Sequence, residues 1–386
     1  MTKSSGTDVE SELTIPTHGR FDSEVKDDFK SNPDDDFDFI QKITVGAMCL
    51  LLAVMGWYGY QLWTGEVTLV GPHPELLTEE NSFANLIQLD EGNAAQLSGS
   101  GVKVCIVDSG VDATHPDLNN ANIIDWVDMV NGKSEPYDDQ NHGTMMAGIL
   151  VADGGLSGVA PDVDLYIAKA LAENGTGESS IVADAIDWCI NKQVNIISLS
   201  LGGNQGTAGI ILGDDVEDAV EDAYSAGIIV VAAAGNDGAN DDGDVASPGN
   251  VRSVICVGAV DSRGSLWSGS SIGDNNGNLF PPKLPRNDPN KKPEVVAPGE
   301  RVPVILPGGS WGYADGTSAS TVYVTGAIAL MLENNPSLKD GGEDMIDDLK
   351  QWIMDSSQMK SDQTNHDNHY GYGLLKINDL IVQSQS

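Results

Sequence analysis

The sequence predicts an α/β protein with a parallel β-sheet flanked by helices, preceded by one transmembrane helix. Short apolar runs alternate with amphipathic stretches from Gly101 onward, and an uncharged run, Ile43 to Trp63, precedes them. Strand–helix–strand alternation is typical of a parallel sheet wrapped by helices. About 20 apolar residues are enough to cross the hydrocarbon core of a bilayer.

The sheet is predicted from four runs that are rich in Val and Ile. They are VKVCIVD, LYIAKAL, VNIISLS and GIIVVAAAG, and each is typical of a buried parallel strand. The segments SSIVADAIDWCINK and DDVEDAVEDAYSA carry apolar residues at i, i+3 and i+4, the spacing of one helical face. Parallel sheets bind ligands at the carboxyl ends of their strands, so residues just after each run are the first site candidates.

The run from Ile43 to Trp63 is predicted to be the membrane span. Its aromatic residues cluster at one end, as in an interfacial belt: Trp57, Tyr58, Tyr60 and Trp63. The run starts too deep in the chain and is too long for a cleaved signal peptide. A buried core helix is the alternative.

Lysine placement predicts the orientation of this span. Lys26, Lys30 and Lys42 precede it, whereas the first Lys or Arg after it is Lys103. The positive-inside rule therefore predicts a single-pass protein of the cell membrane with a cytoplasmic N-terminus and an extracellular domain. Residues 1–42 are acidic and aperiodic, which indicates a disordered tail. A connector over 64–94, with helical character around Ser82–Leu97, leads to the large domain, 95–383.

Charge and cysteine content narrow the possible functions. There are 58 acidic and 20 basic residues, a formal net charge of −38. Nucleic acid is therefore excluded as the main partner, because phosphate binding requires clustered Lys and Arg. The four cysteines stand in apolar or helical contexts without a CxxC pair, so we expect all of them to be small buried hydrophobic residues.

Two candidate catalytic residues lie in the first half of the domain. Asp108 ends the first strand, where its carboxylate could orient an imidazole; an Asx-turn before Gly110 is the alternative. His142 opens the helical segment MMAGILVA and has a side chain suited to proton transfer near neutral pH. A structural cap contact is its alternative.

Two further candidates lie in the second half. Asn236 follows the run GIIVVAAAG, and its amide could donate to a developing oxyanion; a β-turn is the alternative. Ser318, in GTSAS, precedes an apolar helix whose free N–H groups and dipole would favour negative charge. An N-cap role for Ser318 or Thr317 is the alternative. Jointly the four residues follow the chain order of one kind of Asp–His–Ser triad, which favours Ser318 as a nucleophile.

In the segments around these four residues, and from about residue 95 to 383 in all, the chain resembles the subtilisin-like (S8) serine peptidases. VCIVDSGVDATHPDL, HGTMMAG and GTSAS are similar to the family's Asp, His and Ser segments. GVAPDVDLYIAKAL, ISLSLGG, VVAAAGN, KPEVVAPG and HYGYGLLKINDLI resemble other family landmarks in the expected order. The resemblance implies a three-layer subtilisin-like fold. It also implies Asp108 as orienter of the imidazole, His142 as general base, Ser318 as nucleophile and Asn236 as oxyanion donor.

The same resemblance implies that three short segments contact the substrate. They are Ser200-Leu201-Gly202 and Ala233-Ala234-Gly235, opposite walls of the P1 pocket, and Gly175-Thr176-Gly177, a strand edge that pairs with an extended peptide. Main-chain pairing accepts many sequences. Asp237, at the presumed pocket rim, would favour a basic P1 residue; a solvated loop acid is the alternative.

The chain departs from the family pattern at several positions. Pro and His usually follow the serine by four and five residues, where Val322 and Tyr323 stand here, and Met145 replaces a frequent His. The connector is too short for the folded inhibitory propeptide of the family. These differences concern helix packing, pocket shape and zymogen control rather than the triad.

The implied function is a membrane-anchored serine endopeptidase that hydrolyses extracellular proteins or peptides through an acyl-enzyme on Ser318. An inactive relative that only binds peptides is the alternative. An esterase of the α/β-hydrolase type is disfavoured because its serine precedes the Asp and His. No cofactor is required for this chemistry, and residues 236–244, NDGANDDGD, could hold a structural Ca²⁺ because they place oxygen ligands in a Gly-rich loop.

Overall fold

A computed structural model describes residues 33–64, 71–201, 214–238, 244–273 and 285–385. They belong to two units divided between Gln61 and Leu62. The helices are α1 (Pro33–Thr64), α2 (Pro74–Leu86), α3 (His142–Val151), α4 (Ser179–Asn191), α5 (Asp214–Ser225), α6 (Thr317–Asn334), α7 (Gly342–Ser356) and α8 (Ile377–Gln383). The strands are β1 (Lys103–Asp108), β2 (Ile123–Asp128), β3 (Asp164–Lys169), β4 (Ile196–Leu199), β5 (Ile229–Ala233), β6 (Ile255–Val260), β7 (Val295–Pro298), β8 (Val302–Leu306) and β9 (Ser310–Ala314).

Strands β1 to β7 form a parallel sheet in the order β2-β3-β1-β4-β5-β6-β7, and β8 pairs with β9 in a separate antiparallel ribbon. The four predicted apolar runs are β1, β3, β4 and β5. The parallel α/β fold predicted from the sequence is therefore confirmed. Strands covered on both faces need apolar residues throughout, which explains why these runs do not alternate.

The sheet separates two hydrophobic cores. In β1, Val104 and Ile106 pack in the core that includes α3 and α6, whereas Cys105 and Val107 pack in the core beneath α4 and α5. This division follows from the twofold alternation of side chains along a strand. Helix α6 is buried from Thr317 to Leu332, so its N-terminus is fixed firmly against the sheet.

The N-terminal unit contains α1, whose segment Ile40–Tyr60 is long and apolar enough to cross a membrane by length and composition. None of this segment is buried, and Trp57 is 62% exposed. The helix begins at Pro33, ten residues before the predicted span. Pro is suited to a first helical turn because its φ is preset and it needs no N–H partner there. The remainder of the predicted tail, residues 1–32, lies outside the described residues.

The described part of the connector after α1, residues 71–94, is a folded part of the larger unit. Its helix α2 starts and ends earlier than the expected Ser82–Leu97 segment. Phe83 and Ile87 are fully buried, and the Ile87 carbonyl accepts the N–H of Ile377 at 2.8 Å. Apolar residues at i and i+4 therefore dock α2 on the domain. Near them, the Glu80 carboxylate accepts the N–H of Ser157 at 2.7 Å.

The cysteines differ from the expectation of four small buried hydrophobic residues. Cys105 of β1 and Cys189 of α4 form a disulfide across the second core, with a Cα–Cα distance of 6.0 Å. Cys49 is exposed on α1, and only Cys256 is a free buried thiol in the described part of the chain. Sequence spacing could not indicate the pairing because the two partners are 84 residues apart.

A buried ionic group, the Glu294 cluster, joins β7 to α7. The Glu294 carboxylate accepts from Lys292 at 2.8 Å and from Lys350 at 2.9 Å, and all three side chains are fully buried. Burial lowers the pKa of Lys350 to about 8, although Glu294 counteracts part of this effect. Burial raises the pKa of Glu294, but the two ammonium groups outweigh burial and lower it overall. Each charge in the cluster thus depends on its partners.

Candidate active site

The candidate residues follow three neighbouring strands at one edge of the sheet. Asp108 is the last residue of β1, Ser200 follows β4, and Asn236 follows β5, and these strands are adjacent. The carboxyl ends of parallel strands meet at one edge of a sheet, which is where such folds place their ligands.

Asp108 and His142 form a direct pair. Asp108 is fully buried, and its two carboxylate oxygens lie 2.8 and 2.9 Å from Nδ1 of His142. The backbone N–H of Ser109 donates to Oδ1 of Asp108 at 2.7 Å and fixes the carboxylate. An ionised carboxylate only accepts, so Nδ1 carries the proton and Nε2 of the neutral ring keeps a lone pair.

Electrostatics favour the protonated state of this histidine. Burial lowers the pKa of His142, but the charge and hydrogen bond of Asp108, with a smaller effect of Asp138, outweigh burial and raise it. The side chain of His142 is still 24% exposed. A base with this environment can take up a proton and be stabilised as an imidazolium ion.

A tight turn brings His142 to Asp108. A Cβ on Gly143 would lie 2.1 Å from the Gly110 carbonyl oxygen, and one on Gly110 would lie 2.0 Å from that of Tyr137. Only glycine permits both approaches. Asn141, directly before His142, adopts a left-handed φ of 83°. Asp138 accepts hydrogen bonds from Ser109 on one side of this turn and from Thr144 on the other, a role that no sequence motif indicated.

Ser318 is the second residue of α6 and is 9% exposed. Its hydroxyl donates to the carbonyl oxygen of Ser200 at 3.1 Å, and the Ser200 hydroxyl donates to the carbonyl oxygen of Ser318 at 3.1 Å. Ser318 is thereby attached to the strand end next to that of Asp108. Among the described residues, its hydroxyl has no hydrogen bond to His142.

The N-cap alternative for Ser318 and Thr317 does not hold. Gly316 is the N-cap residue of α6, and no side chain caps this helix. Thr317 instead contacts Asn236, whose Oδ1 accepts from the N–H and the hydroxyl of Thr317, both at 3.0 Å. With Oδ1 occupied in this way, the amide nitrogen is directed elsewhere and is available to donate.

Gly316 leaves open space beside this amide. A Cβ at Gly316 would lie 3.5 Å from Nδ2 of Asn236, and the φ of 153° there lies in the region that favours glycine. The Asn236 amide and the start of α6 therefore lie around one small space. The sequence indicated Thr317 only as a possible cap, and its contact with Asn236 is apparent only in the structure.

The predicted substrate segments lie in different environments. Ser200, Leu201 and Ala233-Ala234-Gly235 are buried, whereas Gly202 lies outside the described residues. Gly175-Thr176-Gly177 lies in a partly exposed turn, in which the Ala172 N–H donates to the Thr176 carbonyl at 2.9 Å. Their role in substrate binding stays a prediction.

The proposed calcium loop is described at residues 236–238 and 244 only. Asp244 forms a two-pronged ion pair with Arg286, at 2.9 and 2.8 Å, and the Oδ1 atom of Asn236 is bonded to Thr317. Within the described ranges, no group of three His, Cys, Asp or Glu side chains could hold a metal ion. Calcium binding by this loop therefore stays a prediction.

A seven-stranded parallel sheet with a His–carboxylate pair and a helix-borne serine at its carboxyl edge is the arrangement of subtilisin-like proteins. The sequence model of the Subtilase family, Peptidase S8, matches residues 99–373. The chain belongs to this family. The resemblance seen in the Asp, His and Ser segments is thereby confirmed.

Individual relatives agree with this assignment. Subtilisin E of Bacillus subtilis (strain 168) is 33% identical over 285 residues, which cover 72% of this chain and 65% of that protein. Serine protease AprX of the same strain is 33% identical over 315 residues, 75% of this chain and 68% of that protein. A solved structure, a cold adapted subtilisin-like serine proteinase, has a TM-score of 0.57 at 25% identity and covers 72% of this chain and 90% of its own. The chain thus spans slightly less than two thirds of Subtilisin E.

Proposed function

We propose that this protein is a membrane-anchored serine endopeptidase with Asp108, His142 and Ser318 as its catalytic triad. The observation that carries the proposal is the pair of short contacts from the Asp108 carboxylate to Nδ1 of His142. Ser318 of α6 is bonded to Ser200, which follows the adjacent strand β4, and Asn236 follows β5. Membership of the Subtilase family supports the reaction class.

The reaction proceeds through an acyl-enzyme. His142 takes the proton of the Ser318 hydroxyl as the oxygen attacks the peptide carbonyl, and Asp108 holds the imidazole in the required tautomer. The hydroxyl must first leave the Ser200 carbonyl, with which it is now bonded. The Asn236 amide and the N–H of Ser318 then bind the oxyanion. His142 returns the proton to the leaving amine, and water releases the acyl group by the reverse route.

The substrate is an extended segment of an extracellular protein or peptide. Its backbone pairs with the edge Gly175-Thr176-Gly177, and its P1 side chain enters between Ser200-Leu201-Gly202 and Ala233-Ala234-Gly235. Main-chain pairing gives affinity with little dependence on sequence. Asp237 would add a preference for basic P1 residues. Structural calcium in the 236–244 loop remains a part of the proposal that chelation and thermal unfolding can test.

The anchor is α1, with the N-terminus in the cytoplasm and the peptidase domain outside the cell. An apolar span from Ile40 to Tyr60 supports the anchor, and the lysines that precede it support this topology. The Cys105–Cys189 disulfide supports it independently, because disulfides persist on the oxidising side of a membrane. Protease added to intact cells should reach the large domain and spare residues 1–42. The opposite pattern would show inverted topology.

The competing function is peptide binding without catalysis. A fluorophosphonate probe separates the two, since only an activated serine reacts with it. We expect labelling at Ser318 of the folded protein and loss of casein and peptide turnover in Ser318→Ala. Absence of labelling in folded protein favours the binding function, and turnover that survives Ser318→Ala contradicts the triad.

A further inference from the structure

Asp138, in the loop between β2 and α3, accepts five hydrogen bonds. Its Oδ1 accepts from the Ser109 hydroxyl at 2.9 Å and from the N–H groups of Gln140 at 3.1 Å and Asn141 at 2.9 Å. Its Oδ2 accepts both the N–H, at 2.8 Å, and the hydroxyl, at 2.6 Å, of Thr144. This one carboxylate therefore joins Ser109, the loop before α3 and the first turn of α3.

These bonds join the two segments that carry the Asp108–His142 pair. The Ser109 hydroxyl, which donates to Asp138, also accepts the N–H of Gly143 at 2.8 Å. The N–H of the same Ser109 donates to the Asp108 carboxylate at 2.7 Å. Ser109, which follows Asp108, and Gly143, which follows His142, are thus joined by a continuous path of hydrogen bonds. Asp138 is the carboxylate that Ser109 binds through its hydroxyl.

The charge of Asp138 acts on His142 as well. Burial raises the pKa of Asp138, but the hydrogen bonds described above outweigh burial and lower it, so this side chain is ionised at neutral pH. Burial lowers the pKa of His142, and the negative charge of Asp108 raises it. The negative charge of Asp138 adds a smaller increase in the same direction as that of Asp108.

Other charged groups lie around the loop. Lys169, at the end of β3, is paired with Asp139 at 2.6 Å and lies 4.9 Å from the ring centroid of Tyr137. The Asp112 carboxylate accepts from Thr114 at 2.6 Å and keeps its negative charge. The negative charges that raise the pKa of His142 are nevertheless those of Asp108 and Asp138.

We propose that Asp138 is a second carboxylate of the catalytic machinery, a positioning residue that holds His142 against Asp108 and adds negative charge behind the imidazole. The inference depends on the proposed triad. It differs from a purely structural loop anchor, because an anchor would not affect the ionisation of His142.

The test is the pH profile of kcat/KM, measured on the full-length protein in detergent with an uncharged peptide substrate. This profile reports the ionisation of the free enzyme, and its acid limb follows the base. In Asp138→Asn we expect kcat/KM to fall about 10- to 100-fold through misplacement of the base. Removal of the negative charge should also move the acid limb to lower pH.

Ser109→Ala separates positioning from charge. This variant breaks the path of hydrogen bonds but keeps every carboxylate, so kcat/KM should fall while the acid limb stays at its original pH. It also provides the test if Asp138→Asn does not fold. Unchanged kcat/KM in folded Ser109→Ala would then overturn the proposal.

Asp128→Asn is the matched control. Asp128, the last residue of β2, is a buried carboxylate that accepts the N–H groups of Val130, Asn131 and Lys133 and the hydroxyl of Tyr137, and it is not among the charges that shift the pKa of His142. We expect its kcat/KM to stay within about twofold of the parent and its acid limb to stay in place, since it does not act on the imidazole.

Two results would contradict the role of Asp138. They are an acid limb in Asp138→Asn that coincides with that of the parent, and a limb in Asp128→Asn that moves equally. Ser318→Ala distinguishes these results from failure of the triad itself. If Ser318→Ala abolishes turnover and the limb does not move, only the role of Asp138 is wrong; if turnover survives Ser318→Ala, the proposed function is wrong.

Discussion

Replacing Asp108 by asparagine tests the arrangement of the proposed triad most directly. The N–H of Ser109 donates to Oδ1 of Asp108 at 2.7 Å, so the amide oxygen of an asparagine must face this donor. The amide NH₂ group is then directed at Nδ1 of His142, which lies 2.9 Å from Oδ2 at present. Nδ1 must accept this bond, so the ring proton moves to Nε2 and the base is lost.

The expected loss follows from this exchange of tautomers. Serine peptidases in which the orienting carboxylate becomes an amide lose about 10⁴-fold in kcat. At about 1.4 kcal/mol for each factor of ten, this is about 5.5 kcal/mol of transition-state stabilisation. KM should change little, because Asp108 is buried and does not line the predicted substrate segments. Since Asp108 also raises the pKa of His142, the acid limb should move to lower pH.

The assay is steady-state turnover of a peptide amide by purified Asp108→Asn, with Ser318→Ala as the inactive baseline. The asparagine is isosteric and keeps its bond to Ser109, so the unfolding temperature should stay within a few degrees of the parent. A folded Asp108→Asn protein whose kcat lies within tenfold of the parent would refute the tautomer argument.

Three further predictions concern stability. Glu294→Gln leaves both lysines of the Glu294 cluster without a buried counter-charge, so the free energy of unfolding should fall by about 3 to 5 kcal/mol in urea titrations; an unchanged midpoint would contradict this. Cys189→Ser removes the disulfide to Cys105 and should lower stability by about 2 to 5 kcal/mol, and reduction of the parent should have a similar effect. Burial raises the pKa of Glu80 from 4.5 to about 7. Between these pH values the folded protein keeps a proton on Glu80 that the unfolded protein has lost, so the free energy of unfolding falls as pH rises through 7. Glu80→Gln should remove this loss, and an equal fall in unfolding temperature between pH 5 and 8 in both proteins would exclude Glu80 as its source.

Much of the fold could be predicted because its signals are local. The apolar runs that became β1, β3, β4 and β5 are continuous, and the helical segments keep a regular spacing. The candidate residues could be grouped for a related reason: Asp108 and Asn236 directly follow such runs, and parallel strands end at one edge. The motifs then added family membership, which the comparison with known sequences confirmed.

Other parts could not be predicted because they depend on segments distant in the chain. The ends of α1 and α2 lie at other residues than local composition indicates, since docking and helix propagation act at helix ends. The role of Asp138 was missed because Asp residues are abundant in this acidic chain. Only its position among the donors of Ser109 and Thr144 distinguishes it from a solvated loop carboxylate.

The sequence by itself determined the α/β class, the apolar span and the identity of the four candidate catalytic residues. These properties depend on hydrophobic periodicity, run length and short motifs, all of which are local. Only the tertiary structure decided that Cys105 pairs with Cys189, that Asp138 holds the turn between Asp108 and His142, and that Thr317 orients Asn236. Such contacts depend on the approach of side chains to within about 3 Å, and that approach is fixed by packing of the whole domain.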